Sequence, residues 1–254
     1  DRCRQKISET AGVTKEEREK LDFWNACIIE CEAIIRYAHR YADLAEQMAA
    51  ATDDEKRRGE LLTIAANCRV VPEHTPQTFW QAVQFVWFMQ LLVHVESNGA
   101  GNGFGRYDQY MRPYYQKDIQ QGVITPDDAL ELIECFYIKT SELLIVRSNE
   151  DAKKFAGYPL WQILMVGGVD KDGNDATNDL TYLCLEAQNE VQLHQPAVGL
   201  RIHEGTPEDL FKKGVRMVQT GFGNPAFFND KAAIPICLAK GGTLEECRDW
   251  SVVG

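Results

Sequence analysis

The sequence has no uncharged apolar run long enough to span a bilayer. Its longest apolar stretch, near Phe85 to Val95, is interrupted by Gln90 and His94 and reads as a core helix, so no membrane role is expected. A basic surplus is missing too: 27 basic residues face 38 acidic ones, for a net charge of −11. The densest basic cluster, Lys56-Arg57-Arg58, is mixed with Asp53, Asp54, Glu55 and Glu60. That is a solvated helix face, and no nucleic-acid partner is expected. No leader pattern opens the chain, and the eight cysteines are scattered through helix-like and apolar contexts, which points to the reducing cytoplasm. Metal-ligand spacings are also lacking. Cys27 and Cys31 share a helix face, but Ile34 stands where a cluster-binding third thiol would be needed. His194 and His203 have no third ligand at a recognisable spacing, and the series Asp170, Asp172, Gly173, Asn174, Asp175 has Thr181 where a calcium loop needs glutamate. These read as helix thiols, neutral hydrogen-bonded histidines and a hairpin-like turn, with no metal in this chain.

What is present is globular. A chain of 254 residues, 44% hydrophobic and 26% charged, is neither disordered nor too short for a sizeable core. Leu21, Trp24, Ile28, Cys31, Ile35, Ala38, Tyr41 and Leu44 recur at helical spacing and predict a long amphipathic helix from about Glu16 to Ala51. A second helix is expected from Asp53-Asp54 to Val70. A third, over 77–96, would be capped by Thr75 with Pro76 at its first position and be apolar enough to lie deep. The segment from Ser97 to Gly105 holds four glycines and reads as a loop. Helices then follow over 107–119 and, after the capped start Thr125-Pro126-Asp127-Asp128, to Ser141.

Beyond residue 141 the period changes. Leu143 to Val146, Ile163 to Val169, Ala197 to Ile202, Ala226 to Phe228 and Ser251 to Val253 read as buried strands. Helices over 178–191, 207–219, 231–240 and 244–249 alternate with them. The expected fold is α/β: a mainly helical layer over 1–141, then strands and helices of a sheet or barrel over 142–254, all within one domain. Both ends read as interior sequence, because an apolar strand that stops at Val252-Val253-Gly254 lacks a closing turn. The expectation is a piece of a larger protein. Arg106 and Asp108 are expected to lock the glycine-rich loop by charge-assisted hydrogen bonds, Gly167-Gly168 to end a strand at a close backbone approach, and Asn224-Pro225 to open a strand.

The segment Gly105-Arg106-Tyr107-Asp108-Gln109-Tyr110, followed by Pro113-Tyr114-Tyr115, resembles a motif of the glycyl radical enzymes of the pyruvate formate-lyase superfamily. Similar blocks follow the same order along the chain: Arg40-Tyr41-Ala42, Val71-Pro72 with Pro76, Phe79-Trp80-Gln81-Ala82, Glu96-Ser97-Asn98-Gly99, Gly157-Tyr158-Pro159, Val166-Gly167-Gly168, Asp175-Ala176-Thr177-Asn178, Gln195-Pro196-Ala197, Asn224-Pro225-Ala226-Phe227-Phe228-Asn229-Asp230 and Val253-Gly254. The resemblance covers nearly the whole chain.

The resemblance implies an N-terminal helical layer and about half of a ten-stranded α/β barrel. It implies a catalytic cysteine immediately after Gly254, a glutamate base two residues further, and a glycyl radical on a distant glycine outside this chain. That radical would be installed by a radical-SAM activating enzyme. A small-molecule substrate and a homodimer are implied as well. Trp161 is the residue expected to line the lumen, with Leu160 and Phe155 on the same loop; core packing is the competing reading for Trp161. Arg201 either reaches a polar group in the lumen or pairs with a structural carboxylate. Arg106, Asp108 and Gln109 belong to the structural motif. Leu160-Trp161-Gln162 inclines the reading toward enzymes that break a carbon–heteroatom bond, the isethionate sulfite-lyases first. Choline trimethylamine-lyases and glycerol, propanediol or hydroxyproline dehydratases come next, then arylacetate decarboxylases. Ala100 departs from the histidine expected after Asn-Gly in many dehydratases. A non-catalytic scaffold or interaction module is the reading from another class.

Overall fold

Hydroxyl and carboxylate caps fix where most of the helices start. In the computed structural model, which describes residues 1–97, 101–144, 148–154 and 160–252, the chain divides into two compact units, Asp1–Pro76 and Gln77–Gly254. The first holds α1 (Arg2–Ser8), α2 (Lys15–Ala51) and α3 (Glu55–Val70). Thr14 and Glu17 close a capping box at the start of α2, and Asp54 accepts from the Arg57 N–H at the start of α3. The buried face of α2 differs from the expected stripe. Ala38, Ala42, Ala45 and Ala49 are buried, whereas Tyr41 and Leu44 are 46% and 47% exposed. Small side chains let α3 approach closely with Leu61, Ala65 and Cys68, so alanine spacing sets the packed face and the larger residues turn outward. Arg69 of α3 reaches back to Asp43 and Glu46 of α2.

The second unit runs α4 (Phe79–Ser97), β1 (Gly105–Arg106), α5 (Tyr107–Gln120), α6 (Pro126–Ser141), α7 (Asn149–Lys154), β2 (Ile163–Gly167), α8 (Asp179–Val191), β3 (Ala197–Ile202), α9 (Glu208–Gln219), β4 (Ala226–Asn229), α10 (Asp230–Ala239) and α11 (Leu244–Arg248). Thr125, Asn178, Asn229 and Thr243 cap α6, α8, α10 and α11. The expected cap at Thr75 is displaced: Thr78 takes the role, its hydroxyl accepting from Gln81 N and its carbonyl from Ala82 N. α4 is only partly deep, with Phe79, Ala82, Val83 and Phe88 buried and Val95 exposed.

The α/β expectation holds, with four strands among the described residues, all parallel and in the order β1-β2-β3-β4. β2, β3 and β4 lie where the sequence placed them, although β4 is half-exposed and not buried. Two expected strands are corrected. Leu143 and Leu144 carry no strand, and the rest of that segment falls at 145–147, outside the described residues. Ser251 and Val252 carry none either, the carbonyls of Arg248 and Trp250 just before them accepting from arginine side chains, and Val253 lies outside the described residues. β1 was not expected: Gly105 pairs with Leu164 at the edge of β2.

Strand side chains alternate between faces. Leu164, Val166, Val198 and Leu200 pack on one side with Tyr107, Met111, Ile133, Phe136, Leu180 and Leu210 from the helices, and this is the hydrophobic core. The other face carries Met165, Gly199 and Arg201, with Phe228 opposite Arg201 in β4. A Cβ on Gly199 would stand 2.4 Å from Met165 Sδ and 3.0 Å from the Phe228 ring, so glycine is what allows those two large side chains to meet. Among the described residues no helix is long and apolar enough to cross a membrane.

Candidate active site

At the N-terminal end of β2, Trp161 holds a left-handed backbone, φ 51°, with 39% of its surface exposed. For a bulky non-glycine residue that conformation costs roughly 1–2 kcal/mol, so the surroundings must enforce it. They do so through the next residue. Gln162 is fully buried; its backbone N–H donates to Gln195 Oε1 at 2.9 Å and its Nε2 to the Thr140 carbonyl at 3.2 Å. Its Oε1 accepts from Gln90 Nε2 at 2.9 Å, and His94 Nε2 stands 3.1 Å from the same oxygen. Gln90 Nε2 also reaches the Asn102 carbonyl at 2.7 Å. Gly101 N–H donates to the carbonyl of Leu160, whose side chain is buried. A satisfied polar cluster from α4, α6 and two loops therefore underlies the exposed indole. Phe155 lies outside the described residues.

The other end of the same strands is ionic. Arg201 is fully buried, and four of its five N–H groups have partners: Nε to Asp230 Oδ1 at 2.8 Å, Nη2 to Asp230 Oδ2 at 3.0 Å and to the Arg248 carbonyl at 2.8 Å, and Nη1 to the Trp250 carbonyl at 3.0 Å. Trp250 lays its ring 4.7 Å from the guanidinium and donates Nε1–H to Asp230 Oδ1 at 2.8 Å. Burial lowers the Arg201 pKa, against the hydrogen bonds to Asp230 that raise it. Gly168, at φ 82°, makes room for this group, since a Cβ there would sit 2.5 Å from Arg201 Nε, while a Cβ on Gly167, at φ 74°, would sit 3.0 Å from the Arg201 carbonyl. The close approach expected of these glycines is therefore to the guanidinium at Gly168 and to the neighbouring strand's backbone at Gly167.

Arg106 and Asp108 meet across Gly167. Arg106 Nη2 donates to the Gly167 carbonyl at 3.1 Å, and Gly167 N–H donates to Asp108 Oδ2 at 2.8 Å. Arg106 forms its ion pair with Asp249, at 3.0 Å, and its Nη1 also reaches the Arg248 carbonyl at 3.4 Å. Asp108 takes a second bond from the Thr181 hydroxyl at 2.6 Å, while its Oδ1 is buried without a hydrogen-bond partner. Burial raises the Asp108 pKa, opposed by the Gly167 N–H, the Thr181 hydroxyl, the Gln109 amide and the Arg106 charge. Gln109 donates to the Ala176 carbonyl at 3.0 Å.

Trp161 and Arg201 are not brought together. Gly167 is paired with Arg201, while Trp161 lies beyond the other end of β2, and the four residue steps from Ile163 to Gly167 alone span about 13 Å. A two- or three-carbon substrate cannot touch both. After α11, Arg248 and Trp250 are held at the arginine end, and a Cβ placed on Gly105, the partner of Leu164, would lie 4.0 Å from Ser251 Oγ. Ser251 therefore lies near the edge strand at the level of Leu164.

Asp230, Trp250 and the Gln90–His94–Gln162 cluster carry roles that the sequence reading did not assign. The available signal was Arg201 itself, since a charge on an apolar strand requires a buried partner. His203 Nε2 lies 3.0 Å from Asp175 Oδ1, while His194 stacks on Phe222. Asp170 accepts from Asp172 N and Asn174 N, the turn that was expected. Among the described residues no group of three or more His, Cys, Asp or Glu side chains could hold a metal.

The family description Pyruvate formate lyase-like matches residues 1–254. The chain is 42% identical over 241 residues to a (2S)-3-sulfopropanediol dehydratase of Klebsiella oxytoca, covering 93% of this chain and 29% of that protein. It is 39% identical over 242 residues to an isethionate sulfite-lyase of Desulfovibrio desulfuricans, covering 94% and 29%. A crystal structure of a glycyl radical enzyme from Archaeoglobus fulgidus superposes with a TM-score of 0.93 at 38% identity, covering 98% of this chain and 32% of that one. This chain therefore spans about three tenths of the length of these relatives. It belongs to the pyruvate formate lyase-like family, among the glycyl radical enzymes.

Proposed function

We propose that the protein containing this chain cleaves a carbon–sulfur bond in a small sulfonate, converting isethionate to acetaldehyde and sulfite. The observation that carries the reading is Trp161: a half-exposed aromatic side chain in a costly left-handed conformation, next to the buried and hydrogen-bonded Gln162. Two relatives, by their names, act on sulfonated two- and three-carbon compounds, which favours a sulfonate here. In this reading Trp161, with Leu160 beside it, lines the substrate chamber, and the whole chain lies within one pyruvate formate lyase-type domain. A cysteine following Gly254, charged by a glycyl radical that a radical-SAM activating enzyme installs elsewhere in the protein, supplies hydrogen-atom abstraction. Buried, close-packed strands keep water and stray thiols from such a centre. The protein works as a homodimer in an anaerobic cytoplasm.

Dehydration of a sulfonated diol is the second reading, favoured by the 42% identity to the sulfopropanediol dehydratase. The test is to activate the complete protein anaerobically, measure the glycyl radical by electron paramagnetic resonance, and supply isethionate and 2,3-dihydroxypropane-1-sulfonate in turn. Sulfite and acetaldehyde from the first support the proposal, and loss of water from the second with no sulfite favours the alternative. A fully activated protein that consumes neither, or one that forms no radical, refutes both. Trp161→Ala is expected to raise KM.

A further inference from the structure

Arg248 ends α11 and Trp250 follows it in a segment with no strand pairing among the described residues, yet both carbonyls accept from buried guanidiniums. Arg201 spans both carbonyls, and Arg106 adds a second guanidinium to the Arg248 carbonyl and an ion pair to Asp249. Asp230 orients Arg201 with both carboxylate oxygens and fixes the Trp250 indole with one of them. The anchoring side chains are buried, Arg201, Asp230 and Arg106 being 0%, 2% and 8% exposed, while Asp249 at the outer edge is solvent-exposed. Guanidiniums grip carbonyl oxygens in fixed fork geometry, so this arrangement sets both the height and the direction of the chain leaving Trp250.

We infer that Arg201, with Arg106 beside it, is a positioning residue for the reaction proposed above. The two arginines fix the backbone at Arg248 and Trp250, and with it the point from which the chain departs toward the following thiol and the depth at which that thiol meets the substrate. The inference rests on that functional reading and goes beyond it by assigning Arg201 a role away from the substrate. Its partner is the backbone of the approaching segment, and Asp230 is its orienting counter-charge.

The test uses the complete protein, activated with its radical-SAM partner and assayed with whichever of isethionate and 2,3-dihydroxypropane-1-sulfonate the wild type turns over. Arg201→Lys keeps the charge but cannot bridge both carbonyls. It is expected to keep wild-type glycyl radical content and KM while kcat falls about 100-fold, the scale of an ångström-level misplacement. Should Arg201→Lys fail to fold, Arg106→Gln and Asp249→Ala loosen the outer half of the clamp and leave the Arg201–Asp230 pair in place. They are expected to lower kcat in the same way, less severely. Wild-type kcat in the folded variants overturns the inference. A raised KM with kcat preserved in Arg201→Lys also overturns it, since that places the guanidinium on the substrate. Absence of a radical in the wild type sinks the functional reading itself, a result distinct from a radical-bearing variant with full turnover.

Discussion

Replacing Asp230 by asparagine preserves shape and removes one acceptor, and the structure allows no orientation that tolerates the change. Oδ1 accepts from Arg201 Nε and Trp250 Nε1, both at 2.8 Å; Oδ2 accepts from Arg201 Nη2 and Val169 N, both at 3.0 Å. Whichever side the amide nitrogen takes, it confronts two donors. The guanidinium, fully buried and with the like charge of Arg106 lowering its pKa further, also loses its counter-charge. Leaving one partner of a buried ion pair uncompensated costs about 3–5 kcal/mol, which lowers the thermal midpoint of a complete protein roughly three times the length of this chain by about 2–3 °C. Calorimetry of the complete protein measures it directly. Arg201→Met combined with Asp230→Leu recovers part of the loss, because no charge remains to be solvated, and the cycle of single and double variants gives the coupling. An Asp230→Asn protein within about 1 kcal/mol of wild type refutes the argument that this pair is an ionised, fully committed clamp.

The second buried aspartate should respond in the opposite way. In Asp108→Asn the remaining oxygen accepts from Gly167 N and Thr181 Oγ1 while the amide takes the place of Oδ1, which has no hydrogen-bond partner, so the stability change is expected to stay within about 1 kcal/mol. Because burial raises the Asp108 pKa above its ordinary 3.8, the folded state binds this proton more tightly than the unfolded one. Its contribution is fully present below the ordinary value and is lost as pH rises through the raised one. The difference in thermal midpoint between Asp108→Asn and wild type should therefore grow in the variant's favour across that window and then level off, and a flat difference would contradict the burial argument. Gly168→Ala adds a Cβ 2.5 Å from Arg201 Nε at φ 82°; a loss of about 2–4 kcal/mol is expected by the same calorimetry, and a neutral result would mean that the guanidinium has room to move. Cys184 is buried and its pKa is raised by desolvation, and Cys68 is pushed up to about 11, while Cys31 and Cys135 are exposed. Mass spectrometry after brief native alkylation should find label on the exposed pair and none on Cys184 or Cys68.

Local chemistry was legible in the sequence and long-range pairing was not. Thr125, Asn178 and the acidic start of α3 announced their helices, because a cap needs only the three residues that follow it. Thr75-Pro76 offered an equally good local signal and was wrong, since Thr78 stands next to the apolar residues that the helix buries. The stripe on α2 gave the right period and the wrong phase. Hydrophobic spacing ranks leucine and tyrosine above alanine, whereas close packing against α3 selects alanine. The site divided in the same way. Trp161 stood out by type and neighbourhood, but its backbone conformation depends on Gln195 and Thr140, distant in sequence. Arg201 stood out as a charge on an apolar strand, while its carboxylate lies 29 residues on and its carbonyl partners nearly 50. No periodicity carries that information.

The failure of the expected terminal strand has a mechanical meaning. A segment paired by a backbone ladder lies in the plane of the sheet and continues along its neighbours. A segment held by guanidinium-to-carbonyl bonds lies over the sheet face, on the side of Arg201 and Phe228, and takes its course from those side chains and not from a backbone ladder. Parallel strands all point one way, so a loop that simply extended one of them would leave at the arginine end, the far end of β2 from Trp161. The Ser251 hydroxyl, 4.0 Å from where a Gly105 Cβ would stand, lies beside the edge strand instead. Two buried arginines on a sheet are costly to desolvate, and the course of that one segment is what their fork geometry provides in return.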